Sequence, residues 1–502
     1  MKKILTSKQM KECDLSTISS GVPGSVLMKR AADGVVDTVV RYGYDISKVL
    51  VVCGSGNNGG DGMLCARKFY GMGYDCHIWY VGKGHTMSAD TEKIFEELTD
   101  LGMEFVEYPD MDSYTLILDA VLGTGVAFRV SGMIEDAVLM MNGSNTPVVS
   151  VDIPSGICSD TGNRLGCAVI ADMTVAIQEY KRGHCLSDGI NASGKLCCID
   201  IGIDTEEVTD YDGIVPLSAD EGVLLNIPAR KRNSHKGDHG RVLVVGGSVG
   251  MCGAPYFAAE AAYRCGAGIV EIFTPEENRQ ILQTLLPEAI VTAYDTFDFD
   301  FKSLCQAIER ASAIVVGPGL GTGELARTLV YEVFSKSMSP IIADADALNI
   351  VAKYSITYPV DVPVIVTPHP GELSRLTGID VRDLACNIWD SAMEYALENE
   401  VICVSKFSRT VITDGNELYV NTTGGPALAK GGSGDVLCGV IAGMLCCDLS
   451  PIDAAVTGVY IHGAAGDIVG ERLGDYSSIA RDVIAALPEV MKKAGGKQRW
   501  QQ

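Results

Sequence analysis

Apolar residues recur at helical spacing over residues 7–18 and 24–42, the second stretch opening after the turn signal Gly21-Val22-Pro23-Gly24. The pattern then changes. Residues 48–53 (KVLVVC) form an unbroken apolar run, as a strand buried on both faces requires. This run passes directly into Gly54-Ser55-Gly56-Asn57-Asn58-Gly59-Gly60-Asp61-Gly62, which predicts a glycine-rich turn before a helix through Tyr70. Strands are predicted at 75–80, 116–119 and 147–151, with helices over 89–101 and 133–141 between them. This alternation predicts a doubly wound, Rossmann-like α/β domain.

Sheet signals thin out over 204–217, where acids, a glycine and a proline collect, so the domain boundary is placed there: 1–215 and 216–502. A second α/β series follows. It comprises a strand over 240–247, a helix over 254–265, and strands over 268–273, 313–316, 340–343, 362–367 and 401–405. The most glycine-dense stretch is 424–443, GGPALAKGGSGDVLCGVIAG, with a helix predicted over 436–445.

Length and composition suit two or three globular domains: 502 residues, 47% hydrophobic and 21% charged. The net charge of −24 argues against a nucleic-acid surface, because no extended basic run replaces counterions along a phosphate backbone. Seventeen scattered cysteines without a CxxC spacing suggest reduced thiols rather than a disulfide framework or zinc site. The apolar part of MKKILTSKQM is too short for a signal peptide, and no apolar run is long enough to span a bilayer. A cytoplasmic chain that assembles as a homo-oligomer and binds small molecules, with no nucleic-acid or membrane partner, is the expectation.

Candidate chemistry gathers where predicted strands end. In the first half these ends are the Asn57–Asp61 stretch, Asp119 with the following VLGTG, and Asp152 before Ile153-Pro154-Ser155. Asn57, Asn58 and Asp61 carry oxygens suited to a ligand or hard cation. Asp119 and Asp152, taken singly, read more readily as caps or turn formers, but three strand ends sharing this chemistry point to a site. In the second half, Gly431, Gly432 and Gly434 leave backbone N–H groups free to close on an anion at the positive end of a helix. Asp435 beside them is either an N-cap or a base that takes a proton from a hydroxyl being phosphorylated. The stretch is not a P-loop. His369, held between Pro368 and Pro370, is a structural residue or a ligand contact, with the second favoured. Glu372 reads as the acid of a following first turn. Arg230-Lys231-Arg232 reads as a solvated loop, with phosphate binding the lesser alternative.

The motifs GSGNNGGDG, DAVLGTG and VDIPSG resemble those of the NAD(P)HX epimerase family across nearly all of the first half. The resemblance implies that Asn57, Asn58, Gly59, Gly60, Asp61, Gly123, Thr124, Gly125, Val126, Ala127, Phe128, Arg129 and Asp152 contact the hydrated dinucleotide. It also implies that Asn58, Asp119 and Ser155 hold potassium. Asp152 is the expected acid/base, since epimerising a hydroxyl-bearing carbon beside a ring nitrogen requires proton transfer.

The second half, through HKGDHGRVLVVGGS, MCGAP, VGPGLG, ADADALN, TPHPGE and AKGGSGDVL, resembles the ribokinase-like family and within it the ADP- or ATP-dependent NAD(P)HX dehydratases. This resemblance implies substrate contacts from Ala254, Gly319, His369 and Asp435. It further implies nucleotide contacts from Lys406, Phe407, Ser408, Arg409, Thr410 and Gly434. Phe407 departs from the glycine expected after the lysine and leaves the choice of ADP or ATP open. Magnesium is expected to bridge the phosphates, as phosphoryl transfer generally requires. A small-molecule kinase of the same fold, and a non-catalytic N-terminal binding module, are the competing readings.

Overall fold

The apolar runs become strands shielded from water on both faces, in a computed structural model that describes residues 1–82, 86–206, 208 and 214–494, the side chains of 385 and 386 excepted. The chain divides into two compact units, Lys2–Val215 and Pro216–Gln502, with Met1 grouping with the second. Of the predicted boundary stretch, residues 207 and 209–213 lie outside the described residues.

The first unit contains β1 (Lys2–Leu5), β2 (Lys48–Cys53), β3 (Asp75–Tyr80), β4 (Glu104–Phe105), β5 (Leu116–Ala120), β6 (Val148–Val151), β7 (Met173–Ile177), β8 (Tyr180–Lys181) and β9 (Lys195–Ile199). Its sheet runs β4-β3-β2-β5-β6-β7-β9, parallel throughout, while β1 pairs with β8. Strand order reverses between β2 and β5. That reversal opens a crevice beyond their carboxyl ends, where doubly wound sheets bind ligands.

One local prediction is corrected. The helix expected after Gly62 begins at Asn57 and runs to Gly71, so Asn57–Asp61 is helical rather than a preceding turn. Glycine is a poor helix former, but Gly59 is needed here: a Cβ at this position would lie 2.0 Å from the carbonyl oxygen of Gly54. Close approach of the helix to the end of β2 outweighs propensity.

The second unit contains β10 (Leu217–Ala219), β11 (Arg241–Val245), β12 (Ile269–Pro275), β13 (Ile290–Tyr294), β14 (Ala313–Val316), β15 (Ile341–Ala343), β16 (Val364–Val366), β17 (Ile402–Ser405), β18 (Val411–Thr413) and β19 (Leu418–Asn421). These run β13-β12-β11-β14-β15-β16-β17-β18-β19-β10, parallel from β13 to β17 and antiparallel through β18 and β19. The reversal lies between β11 and β14. Helix Ser433–Leu445 packs in the core against helix Gly253–Arg264. It starts three residues earlier than predicted, which carries Asp435 inside the first turn. Arg230, Lys231 and Arg232 are exposed, and Arg230 donates to the carbonyl of Gly266, in keeping with a solvated loop. Among the described residues, no helix is long and apolar enough to cross a membrane.

Candidate active sites

In the first unit a cavity of about 900 Å³ opens at the β2/β5 reversal. Asn57, Asn58, Asp61, Gly123, Thr124, Gly125, Val126, Phe128 and Asp152 line it. Gly59 and Gly60 do not; they face Gly54 and the Met28/Thr91 pair. Ala127 and Arg129 are exposed and also lie outside the lining, Arg129 running beside Gly166.

Asp152 is the first residue after β6 and adopts φ 68°, a left-handed conformation uncommon outside glycine though tolerated by aspartate. Its Oδ1 accepts from the Ile177 N–H at 3.0 Å and is ion-paired with Lys181 Nζ. Lys181 is fully buried and also donates to the Ile177 carbonyl at 2.8 Å. Two more carboxyls share the cavity wall. Burial, reinforced by Asp152 and Asp14 against Lys181, pushes the Asp61 carboxyl well above the usual range. Burial likewise raises Asp14, opposed by Lys181, to about 6.

Asp119 is buried at the end of β5, accepting from Ser150 Oγ at 2.8 Å and from Ser155 N at 2.9 Å and Oγ at 2.5 Å. Leu122 ties these groups to Asn58: its N–H donates to Ser155 Oγ at 2.8 Å, and its carbonyl accepts from Asn58 Nδ2 at 3.0 Å. The other amide atom, Asn58 Oδ1, is buried with no hydrogen-bond partner. Leaving such an oxygen unpaired costs about 1–3 kcal/mol, which a bound cation would offset.

In the second unit, Gly432 caps helix Ser433–Leu445 with φ 94°, so the N-cap alternative for Asp435 is excluded. Ser433 Oγ lies 3.2 Å from Nε2 of His462, whose buried imidazole is pushed down to about 4 and is therefore neutral at pH 7. Below the glycine loop, Lys406 Nζ lies 2.6 Å from Asp344 Oδ1 and 4.0 Å from Glu372 Oε2. The α-carbon of Gly434 covers this pair: a Cβ there would sit 3.2 Å from Lys406 Nζ. Burial raises the Asp435 carboxyl to about 7, with Asp344 and Asp346 adding and Lys406 opposing.

Three predicted residues carry structural duties here. His369 is the N-cap of helix Pro370–Thr377: Nδ1 accepts from the Gly371 N–H at 3.0 Å, while Glu372 Oε2 accepts from the His369 N–H at 2.8 Å. The Lys406 ammonium turns inward to Asp344. Arg409 is buried and donates to the Thr422 carbonyl. Ser408 is exposed, Phe407 is half-buried, and the Thr410 carbonyl accepts from Asn421 N. Ala254 and Gly319 are brought together; a Cβ on Gly319 would lie 3.1 Å from that of Ala254.

Two family profiles match the chain: one described as "NAD(P)H-hydrate dehydratase" over residues 242–489, the other as "YjeF-related protein N-terminus" over 24–183. The bifunctional NAD(P)H-hydrate repair enzyme Nnr of Moorella thermoacetica is 32% identical over 97% of this chain and 96% of its own. The chain belongs to the bifunctional NAD(P)H-hydrate repair enzyme family. The family member of Escherichia coli is 33% identical over 93% of this chain and 89% of its own. Among solved structures, an ADP/ATP-dependent NAD(P)H-hydrate dehydratase from Bacillus subtilis is 35% identical, with a TM-score of 0.50, over 55% of this chain and 98% of its own. A ribokinase-like superfamily protein from Enterococcus faecalis is 29% identical with a TM-score of 0.51, covering 58% and 99%. The second unit thus has the ribokinase-like α/β fold.

Sequence reasoning missed Asp14 and Lys181 in this repair-enzyme chain, and it marked Asp344 and Asp346 only as polar residues at a strand end, without a role. The strand-end rule reached Asp344, whose pairing with Lys406 only the fold reveals. Lys181 follows β7, a strand not predicted, and Asp14 is one polar position on a helix, so neither carried a local signal.

Proposed function

We propose that this chain repairs hydrated NADH and NADPH in two steps. The Lys2–Val215 unit interconverts the R and S epimers, and the Pro216–Gln502 unit dehydrates the S epimer at the expense of ADP or ATP. The observation that carries this reading is Asp435. Its half-buried carboxyl makes no hydrogen bond among the described residues, titrates near neutrality, and stands in the first turn of a glycine-capped helix.

Hydroxide is a poor leaving group, and a phosphorylated hydroxyl is a good one. Asp435 takes the proton of the substrate hydroxyl as it attacks the terminal phosphoryl group of the nucleotide. The first-turn N–H groups have no partner inside the helix and point at the transferring phosphoryl. Expulsion of phosphate, assisted by the ring nitrogen, restores the dihydronicotinamide. Magnesium would neutralise charge on the phosphates. No group of three His, Cys, Asp or Glu side chains able to cage a metal occurs among the described residues, and magnesium held mainly by phosphate and water needs none.

In the first unit, Asn58, Asp119 and Ser155 would hold potassium, supported by the orphaned Asn58 Oδ1 and the all-oxygen donor set. The ion would supply fixed positive charge beside the cavity. Asp152 moves a proton while the hydroxyl-bearing carbon is planar. Cytoplasmic residence and homo-oligomeric assembly belong to the same reading, the first supported by the free thiols of all 16 described cysteines.

The test is to incubate the purified chain with mixed epimers and ADP or ATP and follow dihydronicotinamide absorbance. Recovery of all the hydrate requires both activities. Recovery of the S fraction alone requires only the dehydratase, and no recovery with either nucleotide defeats the proposal.

A further inference from the structure

Epimerisation at a carbon bearing a hydroxyl needs one group that delivers a proton and another that receives one. In the first-unit cavity, Asp152 is poorly arranged to do both. Its Oδ1 is already occupied by Lys181 Nζ and the Ile177 N–H, which leaves Oδ2 as the oxygen able to exchange a proton with substrate.

Asp14 is placed differently. It sits on helix Ser7–Ser19, half-buried, with its side chain on the wall of the same cavity as Asp152 and Lys181. Its carboxyl makes no hydrogen bond among the described residues, although the same helix is tied down elsewhere: Ser7 N and Oγ donate to Asp160 at 2.6 and 2.7 Å. The charged groups that face Asp14 come from three other elements: Lys181 from β8, Asp152 after β6, and Asp61 on helix Asn57–Gly71. Lys8 and Lys11, on its own helix, line the cavity as well. A half-buried carboxyl that makes no internal hydrogen bond, faces the substrate cavity and stands near two other carboxyls has reason to carry a proton even with Lys181 opposing.

We propose that Asp14 is a second catalytic proton-transfer group of the epimerase site, paired with Asp152. The inference rests on the epimerase reading of this unit. In one direction Asp14 protonates the departing hydroxyl. The carbon–oxygen bond breaks with its electron pair leaving on water, and the ring-nitrogen lone pair forms the carbon–nitrogen double bond. Water then adds to the planar carbon from the other face, and Asp152 accepts its proton. The reverse direction exchanges the roles, so each turnover leaves the site ready for the opposite epimer, and no oxidant or further reactant is consumed.

The test uses the full chain and follows epimer interconversion by chromatography without nucleotide, so the dehydratase does not contribute. Asp14→Asn keeps the shape and removes the proton; its kcat should fall on the order of 100-fold, with KM changed less than about threefold. Because Asp14 must be protonated to start the cycle and titrates at about 6, the wild-type rate should fall as pH rises through that value. This limb should be absent from the residual activity of Asp14→Asn. Asp14→Glu should regain activity together with a descending limb, which loss of folding in the first variant could not produce. Asp14→Asn within threefold of wild type with the limb intact, or Asp14→Glu as inactive as Asp14→Asn with an unchanged melting profile, overturns the assignment. A wild-type chain that fails to interconvert the epimers removes the epimerase reading itself, a result distinct from an active wild type with an indifferent Asp14.

Discussion

Lys406 holds its ammonium 2.6 Å from the carboxylate of Asp344, joining the ends of β17 and β15 directly beneath Gly434. Burial alone would push the Asp344 carboxyl up, but Lys406 and the Thr367 hydroxyl more than offset it and hold Asp344 below its ordinary value. Reciprocally, burial pulls Lys406 down and Asp344 more than restores it, so the ammonium is raised. Both partners are therefore charged at neutral pH, and the pair sets the field in which Asp435 titrates.

Removing the ammonium should be costly in two ways. Lys406→Met leaves Asp344 buried and unpaired, for which about 3–5 kcal/mol of stability is expected to be lost, measurable by chemical denaturation. It also removes the charge that draws the Asp435 carboxyl down, so the pH limb of residual dehydratase activity should move upward.

For Asp435 the signs of activity and stability are opposite. As the proposed base Asp435 acts when ionised, so dehydratase kcat/KM should rise with pH through about 7 and level off above it. Asp435→Asn should lower it by about 10²–10⁴-fold. In the folded chain this carboxyl titrates above its unfolded value, so its stabilising contribution is complete below about pH 4 and is lost as pH rises towards 7. At pH 8 Asp435→Asn should therefore melt higher than wild type, by an amount on the order of 2 kcal/mol that fades on acidification.

Asn58 offers a separate test of the proposed potassium site. Epimerase activity measured against KCl, with choline chloride keeping ionic strength constant, should saturate in wild type. In Asn58→Ala, half-saturation should shift on the order of tenfold upward. Dehydratase activity on the S epimer, measured in the same samples, should stay unchanged.

Packing around helix Ser433–Leu445 can be tested away from both sites. A Cβ on Gly439 would lie 2.1 Å from the Ala258 carbonyl oxygen. Gly439→Ala should therefore force this helix and Gly253–Arg264 apart and cost about 1–3 kcal/mol or more in thermal unfolding of the second unit. An unchanged melting temperature would contradict this packing.

Strands such as β2 and β14 were legible because burial on both faces requires unbroken apolar runs, as in KVLVVC at β2 and in 313–316 at β14. β1, β8 and β9 were not, since their short, partly polar sequences are held in place by neighbours rather than by their own pattern. The start of helix Asn57–Gly71 was misplaced because local propensity marks Gly59 as a turn, whereas a contact with Gly54 requires glycine there.

By itself the sequence determined two α/β series with polar residues at the strand ends, and it singled out Asp152 and Asp435, because glycine density and apolar runs are local signals written in consecutive residues. Only the tertiary structure decided that Asp152 pairs with Lys181, that Lys406 turns to Asp344, and that Asp14 shares a cavity with Asp61. These relationships join residues far apart in the chain, and the titration of each carboxyl follows from the burial and the charges that folding brings around it.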